Sequence, residues 1–409
     1  MRNELLQDGA PRTKGRSTSS CWHIITCEYP PQLGGVSDYT FGVAAGLASE
    51  GDEVHVWCPD FSGIPAESEG VTVHRDLGSI TRQDLREAGR QLDSFPAPRR
   101  ILVQWVPHGY GYRSMNIGFC WWLLDRTRRH GDHLEIMVHE PNSPFRANSP
   151  GQNAAAMVHR LMMMVLLRAA ERVWMSIPSW EGRCRPYALN KKLPFNWLPI
   201  PSSIPVRDNP AAAREVRHRY AGDDGLLIGH FGTYGSPITT LLEPVLAGLL
   251  PDPDNTTILL IGMGSQEFLR ELIRRVPRLA GRIHATGGLS AEDLSLHVGA
   301  CDLMIQPYPD GVSSRRTSCM VALSHSKPTV TTFGLLTEPL WKDSGAIALA
   351  AAGDAPAFLV LIRRLLSDRR ERARMSAAAG KLYQEHFEIS RTVATLRHAT
   401  TDTGPACAS

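Results

Sequence analysis

The chain has 409 residues, 43% hydrophobic and 21% charged, a globular composition too long for one ordinary core, so two domains are expected. A formal net charge of +3 with no domain-wide basic field argues against nucleic acid as a partner. Eight cysteines without a CxxC pair fit a reducing cytoplasm better than a disulfide framework, and no apolar run is long enough to predict a membrane span.

Residues 1–20 are polar, lack an apolar signal core and read as a disordered tail. Residues 22–27 (WHIITC) form the first predicted buried strand. The segment EYPPQLGGVSDYT then leads into the helical pattern FGVAAGLASEG and a second strand, EVHVWCP, which makes a βαβ opening. Gly34 and Gly35 let the backbone approach a ligand, and the helix N-terminus beyond them offers free N–H groups and a positive dipole end. Asp38 and Tyr39, at the helix start, are placed to meet a second substrate. A lone Gly-Gly turn can also simply make a corner. Neither GxGxxG nor GxxxxGK[ST] occurs, so a dehydrogenase or a P-loop enzyme is disfavoured.

A short strand at 71–74, a polar helix from Thr81 and a buried strand at 101–107 follow. The helix from Ser114 carries Trp121 and Trp122 and closes on the basic run 126–130. The next strand ends at His139 and Glu140, on the same predicted cleft edge as the glycine loop. HEPNS does not match HExxH, so no zinc protease site is read there. Residues 154–170 make a strongly apolar, Met-rich helix, expected to be buried or packed on a partner; membrane docking helped by Arg160 and Arg168 is the lesser reading. The Pro-rich stretch 197–206 looks like the crossover between domains, with a linker over 201–224.

The second half restarts the alternation. LLIGHFGTYG is a strand with a glycine turn, and TTILLIGMGSQEFLRELIRRV repeats strand, turn and helix. In 300–334 a strand at 303–305 breaks at Pro307, Pro309 and Gly311; Ser313, Ser314, Thr317 and Ser318 are candidate N-caps, and 329–332 is the next strand. Asp310, Arg315 and Arg316 thus sit between a strand end and a helix start. One carboxylate beside two guanidinium groups suits a ligand that is part sugar and part phosphate; the bland alternative is a turn residue and a solvated helix start. Two helices, 354–367 and 369–387, close this half, and 391–409 reads as a tail. The fold class is α/β: two Rossmann-like domains, 21–200 and 225–390, facing across a cleft.

Taken in order, these motifs resemble the retaining glycosyltransferases of family 4, which have the two-domain GT-B architecture. The resemblance spans 22–390 and rests on Gly34-Gly35-Val36, His139, GTYGSP (232–237), GMGS (262–265), GGLSAEDL (287–294) and PYPDG (307–311). It implies transfer of a hexosyl group from a nucleotide-diphosphate sugar to a hydroxyl acceptor, whether glycan, lipid-linked or small molecule. His139 and Asp310 are implied to be catalytic. Gly34, Gly35, Gly232, Ser236, Gly264, Asp310, Gly311, Arg315, Arg316 and Ser318 would bind the donor, and Asp38 and Tyr39 the acceptor. No metal or other cofactor is expected, and the location would be cytoplasmic, with peripheral contact at the inner membrane face where the acceptor is lipid-linked. The sequence departs from the family in two places. The usual pair of glutamates eight apart is missing: Ser318 stands eight after Asp310, and anchoring on Pro328 selects Ser313 and Val321 instead. The usual arginine and lysine are also absent from GTYGSP, and Arg315 and Arg316 are expected to supply that charge. A UDP-sugar epimerase of the same fold and a non-catalytic nucleotide-sugar-binding protein are the alternatives.

Overall fold

The computed structural model describes residues 19–401 apart from 112–113, 190 and 250–254. The expected leading tail lies outside the described residues up to residue 18, as does 402–409 of the expected trailing one. Seven strands, β1 (Cys21–Ile25), β2 (Glu53–Pro59), β3 (Val71–Gly78), β4 (Arg100–Trp105), β5 (His133–Val138), β6 (Arg172–Met175) and β7 (Phe195–Trp197), form a parallel sheet in the order β3-β2-β1-β4-β5-β6-β7. Six more, β8 (Leu226–Phe231), β9 (Thr256–Ile261), β10 (Ile283–Ala285), β11 (Leu303–Gln306), β12 (Thr329–Phe333) and β13 (Ile347–Ala351), form a second parallel sheet ordered β10-β9-β8-β11-β12-β13. These are the two Rossmann-like domains read from the sequence.

Near-continuous apolar runs such as Ile101–Leu102–Val103 make both faces of a strand buryable, as a parallel sheet covered by helices requires. Alternate side chains enter opposite cores. Ile25, Val103 and Ile136 pack with the helices Arg82–Leu92, Ile117–Arg129 and Pro150–Ala169, while Ile24, Leu102 and Met137 pack with the helix Gly35–Ser49. The Met-rich helix is therefore core on one side, through Met162, Met163, Leu166 and Leu167.

Strand order reverses between β1 and β4 and again between β8 and β11. At such a switch point the loops after two neighbouring strands run in opposite directions and leave a crevice at the C-terminal ends. His139 and the glycine loop border the first crevice; Gly232 and the 307–316 loop border the second.

Three boundary expectations change. Phe195–Trp197, at the edge of the expected crossover, is strand β7 and extends the first sheet. The expected linker contains the helix Pro210–Ala221, capped by Asn209 Oδ1, which accepts from Ala212 N at 3.1 Å, and it packs on the helix Ala291–Ala300 of the second domain. The expected tail is helical over Ile389–Thr401. It returns to the first domain, where Val393, Leu396 and Ala399 join the core around Trp22 and Val43.

Candidate functional site

Glu28 governs the first glycine loop. Gly34 precedes the helix Gly35–Ser49, and the Glu28 carboxylate lies across its N-terminus, where Oε1 accepts from Val36 N at 3.1 Å and Ser37 N at 3.0 Å. A Cβ at residue 34 would lie 2.1 Å from Glu28 Oε1, so glycine there makes room for the carboxylate. The N–H groups expected to be free for an anionic ligand are instead held by the chain's own carboxylate, which complements the helix dipole. Asp38 is exposed in the first turn of this helix, whereas Tyr39, expected to meet an acceptor, is buried. Its ring meets the His139 ring edge-on with centroids 5.0 Å apart, and its hydroxyl has no hydrogen-bond partner among the described residues.

His139 follows β5 and is 9% exposed. Its Nε2 lies 2.8 Å from Gln104 Oε1, so the neutral ring carries its proton on Nε2 and donates it to the amide oxygen. Burial holds its pKa down to about 3, which makes it neutral and a poor base at physiological pH. Its carbonyl accepts from Trp180 Nε1 at 3.0 Å and Ser176 Oγ at 3.2 Å, which fixes the residue from both sides.

The charged loop of the second domain closes on itself. Arg315 donates from Nη2 to Asp310 Oδ2 at 2.7 Å and from Nη1 to Glu140 Oε1, across the cleft, at 3.2 Å. Its guanidinium also lies 5.6 Å from the Trp180 ring. Arg316 binds the other Asp310 oxygen through Nη2 and sits 4.7 Å over the Tyr308 ring. Two carboxylates thus balance two arginines. Both Arg315 Nε and Arg316 Nε are nonetheless buried without a partner among the described residues. Buried unpaired donors are rare and costly, and here two guanidinium groups keep one each beside a switch-point crevice.

The other expected donor residues surround this loop. Ser318 Oγ hydrogen-bonds Tyr308 OH at 2.7 Å and lies beside Gly232. Ser236 is exposed at the first position of the helix Ser236–Leu249, whose positive dipole end faces the crevice after β8. Gly264 caps the helix Ser265–Arg275. Gly311 is structural: its φ is 84°, and a Cβ there would meet Gly334 N and Thr337 Oγ1 at 2.2 Å. None of the four candidate caps serves the helix Thr317–Ser324; Arg316 holds the N-cap position.

Ser314 works instead as a pin between domains. Its one hydroxyl proton is shared between Ser176 O, 2.7 Å from Oγ, and the Glu338 carboxylate, its carbonyl accepts from Ile200 N at 2.9 Å, and Trp197 Nε1 donates to Oγ at 3.0 Å. The buried Glu338 carboxylate accepts from Ser314 N at 3.0 Å, bonds Ser314 Oγ, and accepts from Trp341 Nε1 at 2.6 Å. A carboxylate therefore does reach this loop, from beyond β12.

Sequence reasoning missed Glu28, Gln104, Trp180 and Glu338. Each is a single polar or aromatic residue whose partner lies on another element. His230 on β8 was also passed over: it is buried, its Nδ1 has no partner among the described residues, and burial lowers its pKa to about 3.

No protein-family model matches the chain, nor does any curated protein sequence. Solved structures of the same architecture do. Sucrose-phosphate synthase from Thermosynechococcus elongatus superposes with a TM-score of 0.71 at 16% identity, over 94% of this chain and 98% of that one. A glycosyltransferase from Rickettsia africae gives 0.70 at 12% identity, over 94% and 98%. Anabaena HepE in complex with UDP and glucose gives 0.63 at 15% identity, over 93% and 99%. At these identities the likeness establishes the fold, two Rossmann-like domains in the GT-B arrangement, over nearly the whole chain.

Proposed function

We propose that this protein is a retaining glycosyltransferase that takes a hexosyl group from a nucleotide-diphosphate sugar and transfers it to a hydroxyl acceptor. The observation that carries the reading is the pair of buried Nε–H groups on Arg315 and Arg316, unpartnered among the described residues, at the switch point of the second sheet and beside a helix N-terminus. Oxyanions of a diphosphate are the ligand class that uses such donors. The fold is shared with HepE, whose structure holds UDP and glucose.

In this mechanism the diphosphate lies between the N-terminus at Ser236 and the two arginines, and Asp310 turns from the guanidinium groups to the sugar hydroxyls. The bond between the anomeric carbon and the phosphate oxygen breaks, and the electron pair leaves with the nucleoside diphosphate. Arginine and backbone N–H groups stabilise that charge, so the transfer itself calls for no metal. The acceptor oxygen attacks from the face the leaving group vacates, which retains configuration, and its proton passes to the adjacent phosphate oxygen. His139 is too weak a base to take that proton; it orients sugar or acceptor, with Gln104 fixing its tautomer.

Among the described residues no helix is long and apolar enough to cross a membrane. A peripheral approach to a lipid-linked acceptor is favoured by Trp121, Met157 and Leu161, which are exposed on the helices Ile117–Arg129 and Pro150–Ala169, two helices that also carry Arg128, Arg129 and Arg160.

The test is turnover of UDP-, GDP- and ADP-sugars with a panel of hydroxyl acceptors, with the product's anomeric proton read by NMR. Acceptor-dependent release of nucleoside diphosphate with retained configuration is expected. An inverted product would overturn the mechanism. Free epimer without acceptor would identify an epimerase, and donor binding without turnover a binding protein.

A further inference from the structure

At the opposite end of the first sheet from the cleft, two adjacent strands place a set of metal-type donors together. The parallel register pairs Cys21 with Glu53 and His23 with His55, so the i, i+2 alternation puts all four side chains on one face. Cys21 Sγ, a Glu53 carboxylate oxygen and a His55 ring nitrogen lie within 4.8 Å of one another. His55 Nε2 is 3.0 Å from Glu53 Oε1. The site borders solvent through Glu53, whose side chain is 62% exposed, while the His55 side chain is 7% exposed. Thiolate, imidazole and carboxylate together are the donor set of zinc and its neighbours, not of calcium or magnesium.

The surroundings orient these donors. Trp57 Nε1 donates to His23 Nδ1 at 3.2 Å, which leaves the neutral His23 ring with its proton on Nε2, 3.8 Å from Cys21 Sγ. That N–H favours a thiolate. His55 Nδ1 is 3.0 Å from His74 Nε2, and His74 Nδ1 lies 3.9 Å from Asp76 Oδ2. A metal-bound imidazole characteristically has its second nitrogen held by such a relay. Phe95 packs on His23 and His55 with ring centroids 4.8 and 4.4 Å away, which walls the inner side with hydrocarbon. The nearby Arg99 and Arg126 are both paired with Asp132, so they do not compete for the cation's position.

We propose that Cys21, Glu53 and His55 bind one zinc-class divalent cation, a clip between β1 and β2 with its fourth position open to water. Typical bond lengths of about 2.3 Å to sulfur and about 2.0–2.2 Å to nitrogen and oxygen set tetrahedral donors roughly 3.4–3.6 Å apart, so His55 Nε2 and Glu53 Oε1 open slightly from 3.0 Å to admit the cation. The exposed Glu53 arm supplies most of that movement. On binding, the Cys21 thiol releases its proton to solvent. The His55 proton moves from Nε2 to Nδ1, freeing Nε2 for the metal, and the His74 proton that faced it on Nε2 shifts to Nδ1 on the Asp76 side, so that His74 Nε2 can accept from His55. The two anionic ligands then neutralise the dication. In the metal-free chain, burial and Glu53 keep the thiol protonated, with a pKa of about 12, and bound metal reverses that.

The test is titration of the full-length, chelator-treated protein with Co2+ under reducing conditions, followed by displacement with Zn2+. One equivalent with a thiolate-to-cobalt charge-transfer band and intense tetrahedral d–d bands is expected. Cys21→Ser should abolish the charge-transfer band. Glu53→Gln, at an exposed position that leaves the fold intact, should weaken binding at least tenfold. His74→Asn, at a positioning residue, should weaken it by about 10–100-fold while keeping the band. No band at one equivalent, a band that persists in Cys21→Ser, or unchanged affinity in Glu53→Gln would each overturn the proposal.

Discussion

Replacing Asp310 by asparagine tests the charge arrangement with opposite signs for two ligands. In the free protein Asp310 holds Arg315 through one oxygen and Arg316 through the other. These side chains are only 20–27% exposed, so the pairs are screened less than surface ones but still exchange with water. Releasing two such bonds makes roughly 1 kcal/mol available to an incoming diphosphate. Removing a negative charge about 6 Å from the phosphates contributes roughly 1 kcal/mol more at near-aqueous dielectric. Together, about 2 kcal/mol corresponds to roughly thirtyfold, and the asparagine oxygen can still accept one bond, so about five- to thirtyfold tighter binding of nucleoside diphosphate is expected. The gain should shrink as ionic strength rises. Turnover of the nucleotide sugar should fall by at least about tenfold, because the sugar hydroxyls lose a charged acceptor. Calorimetric titration of wild type and Asp310→Asn, at low and high salt, reads the first effect, and nucleotide release reads the second. Equal or weaker diphosphate binding by the variant would refute the assignment of Arg315 and Arg316 to the diphosphate.

Gly34→Ala should expel Glu28 from the helix N-terminus and lose two charge-assisted bonds, about 2 kcal/mol, seen as a melting temperature lower by roughly 4–8 °C. Glu338→Ala should cost about 3 kcal/mol or more, because Ser314 and Trp341 are left with buried unpaired donors; a loss below 1 kcal/mol by denaturant unfolding would show that water replaces the carboxylate. Acid sensitivity should be steep. His23, His139 and His230 are each held near pKa 3 by burial but titrate near 6.5 when unfolded, so the unfolded chain binds more protons between those values. Stability is then full above about pH 6.5 and falls as pH drops, approaching about 4 kcal/mol per pH unit for three protons. Urea melts between pH 7 and 5 measure this slope, and a flat profile would mean that the rings are already charged in the fold. For the same reason, protonation of His139 should produce no limb in the turnover profile between pH 5 and 8.

The alternation of apolar strands, glycine turns and helices was readable because burial on both faces of a parallel strand leaves an apolar run. Long-range packing left no such trace. The helix Ile389–Thr401 carries Ile389, Val393 and Leu396 at helical spacing, but nothing local says that they cover a domain more than 300 residues earlier in the chain. The helix Pro210–Ala221 buries only Val216, so its caps were its sole strong signal, and the Pro-rich flank masked them. At the site, Asp310, Arg315 and Arg316 could be picked out as neighbours in sequence, but not that the acid would hold both bases. Glu28 and Glu338 show the larger gap. A carboxylate that accepts from a helix N-terminus or from a distant serine looks, in sequence, like any other surface acid.

The most direct measurement is the melting temperature of the protein with UDP, GDP, ADP and TDP, each with and without a chelator, repeated on an Arg315→Ala/Arg316→Ala variant. One nucleoside diphosphate should raise the wild-type midpoint whether or not chelator is present, and the double variant should lose the shift. If no nucleotide shifts the wild type, or if the variant responds equally, the two arginines do not form a diphosphate site and the glycosyl-transfer reading fails with them.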